Sequence, residues 1–303
     1  MRYFFPYFYL FLFILPAQAV EITPNEVYIE IYKISQDINL LKQHFNIEKN
    51  AIQPETKVAL YPRHVWQKTY QIMLKINMFR EKNGLPSLSI ISREPEEEMK
   101  PLVVYGQVIR IATEIDLLKR HFDIQTPPSL LPTFSNHTTM DNYDFLNHLS
   151  YEMDLLTGAP FNAQQVFAET IRVHDDISVI LDALEVQDTT NPPLADPTAT
   201  LEQTFQAVQV LLRELQRLQT HFNLDKLKLN DYVYSSKSIN NNISETEVFS
   251  SLGIVLAELQ PIKARLGLTY FITPAAQHYN DKQASDILRI IQWDIQRLKV
   301  IKF

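Results

Sequence analysis

The chain has 303 residues, 28 Lys and Arg against 35 Asp and Glu, a formal net charge of −7, 46% hydrophobic residues, 17 Pro, 5 Gly and no Cys. That apolar fraction excludes a disordered chain, and the lack of Cys excludes a disulfide framework, thiolate metal sites, a Cys nucleophile and covalently attached haem. The five Gly are too scattered to build a phosphate-binding loop or a nucleophile elbow, and the acidic balance argues against nucleic acid as the main partner.

Residues 1–19 read as an address. Arg2 precedes an apolar run that extends to Leu15, followed by Pro16 and the small-x-small triplet Ala17-Gln18-Ala19. This is the layout of a secretory signal peptide cleaved after Ala19. No later stretch is long and apolar enough to span a bilayer. The expectation is an exported chain with no stable transmembrane anchor after cleavage, periplasmic in a Gram-negative host and secreted otherwise. Asn136-His137-Thr138 and Asn242-Ile243-Ser244 fit the N-glycosylation pattern, which matters only in a eukaryotic host.

The remainder repeats one unit of about 38 residues. Val27–Phe45 and Val104–Phe122 align without a gap at a shift of 77, and Thr204–Phe222 aligns the same way. Weaker copies begin at Val65, Asn142, Val166, Val248 and Ala284. In the first copy apolar residues fall at Val27, Ile31, Ile34, Ile38, Leu41 and Phe45. Alternating steps of four and three draw one apolar stripe along an α-helix and do not fit a strand. Val104, Val108, Ile111, Ile115 and Leu118 repeat the stripe, as do Val248, Leu252, Val255, Leu259 and Ile262, and Leu288, Ile291, Ile295 and Leu298. The fold class is all-α: about eight long amphipathic helices, each near 22 residues or roughly 33 Å, arranged as two four-helix bundles or one helical array.

Helix ends are legible too. Thr23-Pro24-Asn25-Glu26 and Ser244 with Glu247 are capping boxes, and Pro62 and Pro101 start two further copies. Asn46, Gly84, Asp123, Asn223 and Gly267 follow the helices, each before an apolar residue, as a left-handed C-terminal cap requires. Shifts of 139 (Val27 to Val166, Val65 to Thr204), 144 (Val104 to Val248) and 142 (Asn142 to Ala284) read as four helices duplicated. The expected division is residues 20–160 and 161–303. The tight join at Gly158-Ala159-Pro160 predicts helices four and five as antiparallel neighbours, while the other connections are long enough to permit parallel ones.

Three positions recur within the unit. One step after the stripe begins, aromatics stand at Tyr28, Trp66, Tyr105, Tyr143, Phe167, Phe205 and Phe249. They read as packing groups or, for Tyr28, Trp66, Tyr105 and Tyr143, as anchors for a protein partner. Ten steps along, acids stand at Asp37, Glu114, Glu152, Asp176, Glu214, Glu258 and Asp294. Basic residues four earlier, at Lys33, Arg110, His148 and Arg172, suggest solvated intrahelical pairs. His44, His121 and His221 sit in last turns, where a cation favours the helix dipole. Di-iron Glu-x-x-His tetrads and zinc spacings are missing, so no metal and no cofactor are expected.

No catalytic constellation emerges. His174-Asp175-Asp176 reads as helix surface, and the Pro-rich segments 127–138, 187–200 and 268–280 are the loops with binding potential. The resulting expectation is a non-enzymatic exported protein that binds a protein partner, with a cell-envelope assembly as its expected setting. The alternative is a small-molecule or non-covalent haem carrier or sensor with a pocket between helices, for which His174 and Met153 are available ligands.

Overall fold

The computed structural model describes residues 21–51, 60–90, 92–127, 132–228 and 243–302. Residues 1–19, expected from sequence to be a signal peptide, lie outside the described residues. Among those described there are eight α-helices and no strand: α1 (Pro24–His44), α2 (Pro62–Lys82), α3 (Pro101–His121), α4 (Thr139–Thr157), α5 (Ala163–Ala183), α6 (Leu201–His221), α7 (Glu245–Arg265) and α8 (Ala284–Val300).

The stripes form the core. Val27, Ile31, Ile34, Ile38 and Leu41 of α1 and the corresponding residues of α3 and α7 are at most 2% exposed. Thr23 and Glu26 close a capping box, as do Ser244 and Glu247. Asn46, Asp123 and Asn223 take φ of 55°, 55° and 53°. The next amide then reaches back to the last turn, as in Ile47 N–H to Lys42 O at 2.8 Å.

The helices form two rings. In the first, α1 packs on α3, α3 on α2, α2 on α4 and α4 on α1. In the second, α5 packs on α7, α7 on α6, α6 on α8 and α8 on α5. Offset by four helices, the two rings have the same neighbours, as a duplication requires. Within each ring all four helices run parallel. At one end of the first ring Asn142 Nδ2 donates to Pro24 O at 2.9 Å, joining helix starts. At the other end the rings of Phe45, Phe79 and Phe122 meet at 5.0–6.0 Å, joining helix ends. In the second ring Arg265 of α7 donates to Phe222 O beyond α6, and Arg217 of α6 donates to Leu298 O of α8. Long connections such as 184–200 and 266–283 return the chain along the full helix length.

α2 and α7 join the rings, and they run antiparallel. His64 near the start of α2 meets Glu258 late in α7, while Gln71 meets Ser250 near the start of α7. The tight turn at 158–162 does not make α4 and α5 packing neighbours, contrary to the expectation from its length. It hands the chain from one ring to the other. Gly158 takes a left-handed φ of 82°, and a Cβ there would meet Lys82 Nζ at 3.2 Å. Phe161 then stacks on Phe249 of α7 with centroids 4.1 Å apart.

Candidate functional site

The recurrent acids are not solvated flanks. Glu152, Asp176, Glu258 and Asp294 are at most 3% exposed. Six of the seven acids face the next helix of their ring, commonly the residue fifteen steps along that helix's repeat, while Glu214 pairs with Arg217 of its own helix. Lys119 of α3 donates to Asp37 of α1 at 2.6 Å, and Lys42 of α1 to Glu152 of α4. Arg80 of α2 lies 3.6 Å from Glu114 of α3. The second ring repeats this: Lys263 of α7 donates to Asp176 of α5 at 2.6 Å, and Gln219 of α6 to Glu258 of α7 at 2.7 Å. Helical side chains lean toward the N-terminus, so in parallel helices a long lysine reaches back to the level of a shorter acid several residues earlier on its neighbour. Of the intrahelical pairs anticipated from sequence, His148–Glu152 at 3.6 Å is found, whereas Lys33 turns to Glu30, Arg110 to Ser89 O and Arg172 to Glu169.

Long polar side chains stitch the two rings together. Arg63 Nε donates to Glu258 Oε1 at 2.9 Å, and His64 Nε2 donates to the same oxygen at 2.7 Å. His64 Nδ1 meanwhile accepts from Tyr61 N–H at 2.9 Å, which fixes the neutral tautomer. Burial lowers the His64 pKa against its bond to Glu258. Burial alone would raise the Glu258 carboxyl, but the hydrogen bonds from His64 and Arg63 and the charge of Arg63 hold it near 2. Lys68 donates to Asn147 Oδ1 and Ser250 Oγ, both at 3.0 Å and both neutral. Burial, with the charge of Lys75 adding to it, pushes its pKa well below the ordinary lysine value. Arg172 of α5 stacks over Tyr70 of α2 at 4.1 Å and donates to Ser92 Oγ at 2.8 Å. These groups are saturated by one another, and they hold the rings in a fixed relation.

A cleft of about 500 Å³ opens beside this seam. Leu74, Met78, Ala168, Phe161 and Phe249 make an apolar floor, while Glu81, Gln164, Gln277 and His278 stand at its edge. It could admit a small amphipathic molecule.

The outer side of α3 is a different kind of surface. Leu102, Gly106, Ile109, Thr113, Leu117 and Arg120 are exposed and lie on one face. Leu102 is 62%, Ile109 37% and Leu117 46% exposed. The shift of 144 places Thr246, Gly253 and Pro261 of α7 at the same three positions, and there all three are buried. Gly253 lies on α2, since a Cβ on it would meet Gln67 Cβ at 3.9 Å. The second ring thus covers with α2 the face that the first ring leaves open on α3.

The four aromatics flagged in the sequence divide. Trp66 and Tyr143 are each 4% exposed, inside the core. Tyr28 is half-buried, stacked on His137 at 3.5 Å and edge-on to Phe134 at 5.3 Å. Tyr105 is half-buried and flanks the open face of α3. The trio at 174–176 is not plain helix surface: Asp176 is buried against Lys263, while His174 bonds Asp294 of α8 at 2.7 Å. Met153 lies in α4 and His174 in α5, in different rings, so the two do not converge as haem ligands. His44, His121 and His221 are exposed and lie edge-on to the Phe that follows each. Among the described residues no three His, Asp or Glu side chains cluster as a metal site would require. No protein-family model, no curated protein and no solved structure matches this chain.

Proposed function

We propose that the chain is an exported, non-enzymatic helical protein that binds a protein partner through the outer face of α3. The observation that carries this reading is the row Leu102, Ile109 and Leu117, left exposed on α3 where the equivalent face of α7 is covered by a helix. An apolar row of this kind on a rigid helix suits another helix better than it suits water. Export, and a place in the cell envelope, rest on the N-terminal address. The test is a photo-crosslinking amino acid at position 113, in the middle of the face, used in the native host. A discrete protein adduct at 113, absent when the probe stands at Gln206 on the outer side of α6, supports the reading. No adduct at 113, or the same adducts at both positions, overturns it.

The cleft beside the seam favours a second reading, a small-molecule carrier. Native mass spectrometry of protein purified from its host would show extra bound mass, lost on Met78→Glu, if the cleft is occupied.

A further inference from the structure

We infer that the partner on α3 is a second copy of this chain, docked through its own α3 about a two-fold axis; this rests on the docking reading above. The exposed face is nearly palindromic in side-chain size. About an axis between Ile109 and Arg110, an antiparallel copy sets Leu102 against Leu117 of its partner, Gly106 against Thr113, and the two Ile109 side chains at the crossing. Large thus meets large at the ends, and small meets small on either side of the centre. A Cβ at Gly106 would find nothing within 4 Å, so the space needed for close approach is there.

The ends of the face are complementary in charge. Exposed Glu94 and Glu98 precede α3, and Arg120 closes it, 75% exposed at its side chain while it pairs with Asp116 at 2.7 Å. In the antiparallel pair Arg120 of one copy arrives beside the acidic run of the other. The two α3 dipoles are opposed as well, which favours the pairing. Closed two-fold pairs of this kind are the commonest soluble assembly.

The joint already present in the chain suggests a competing arrangement, with α6 of one copy playing the part of α2 on α3 of the next. The outer face of α6 does not suit it: Glu202, Gln206, Arg213 and Thr220 point outward there. A polar face is how a helical array ends. A contact of one helix on one helix is at the low end of interface size, so the dimer should depend on concentration.

The test uses the purified protein. Sedimentation equilibrium at micromolar concentration should give a mass approaching twice that of the monomer. Ile109→Glu should return it to one, with unchanged helical circular dichroism to show that the variant folds. Because the chain has no Cys, engineered pairs report contacts without background. A mixture of Gly106→Cys and Thr113→Cys copies should form a covalent dimer faster than either variant alone, and Gln206→Cys should form none. A monomer at all concentrations, self-association that survives Ile109→Glu, or crosslinking through position 206 overturns the inference. If the protein is monomeric but the probe at position 113 still captures a different protein in the host, the inference fails and the docking reading stands. If neither occurs, both fail.

Discussion

Arg63 Nε lies 2.9 Å from Glu258 Oε1, and that contact ties α2 of the first ring to α7 of the second. Both side chains are nearly buried, at 6% and 2% exposure. Glu258→Ala would take the counter-charge from a buried guanidinium, leaving it Asp225 O at 3.1 Å and the face of Tyr61 at 4.1 Å. The expected loss is about 3–5 kcal/mol in urea unfolding. A loss under about 1 kcal/mol would mean that water reaches Arg63 readily and that the seam is loose.

The same carboxylate predicts acid sensitivity. Its pKa is about 2 in the fold against 4.5 unfolded. The unfolded chain therefore binds the proton first as pH falls, and stability present above about 4.5 is lost toward 2. Integrated over that interval the loss is roughly 3 kcal/mol. His64, whose pKa is lowered by burial, acts in the same direction from just below its ordinary value. Unfolding free energies measured from pH 7 to pH 3 should fall more steeply for the natural chain than for Glu258→Gln. Parallel curves would contradict the assignment.

Lys68 is buried with only neutral acceptors, Asn147 and Ser250. Removing its charge while keeping its length relieves the desolvation. Lys68→Met is predicted to raise stability by about 1–2 kcal/mol, seen as a higher melting temperature. A lower melting temperature would show that the two hydrogen bonds outweigh the burden of the charge.

Two isoleucines six residues apart on α3 separate the core face from the open one. Ile115 is 0% exposed and Ile109 37%. Ile115→Asp buries an unpaired charge and should destabilise by more than about 3 kcal/mol. Ile109→Asp, measured at low protein concentration, should stay within about 0.5 kcal/mol. Similar losses for both would mean that α3 is covered on its outer side within a single chain.

The stripe residues and the left-handed caps at Asn46, Asp123 and Asn223 were legible because each is set by local chain geometry. Neighbour identity was not. Asp37 is answered by Lys119, 82 residues on, while Lys33 offered itself only four residues away. One-dimensional spacing favours the nearer cation, whereas parallel packing supplies the farther one. His64 escaped notice for a related reason: its ring replaces the usual carboxylate in a capping box and also meets Glu258 on α7. The open face of α3 was hidden differently. Leu102, Ile109 and Leu117 form a second, sparser row beside a dense stripe, and only the duplicated partner α7 shows what such a row can be used for.

The ring order α1, α3, α2, α4 bears on how the chain is made. α1 packs on α3 and α4 but stands diagonally across from α2, the next helix to be synthesised. Aligned contacts between α1 and α3 bridge 77 residues, far more than in an up-and-down bundle. Folding should therefore be slow for an all-helical protein, nearer to the rates of mixed α/β domains. On the ribosome the greasy edge of α1 must wait for α3, which ends at His121, and stays partly uncovered until α4 is complete at Thr157. That interval is when a chaperone would have most to do.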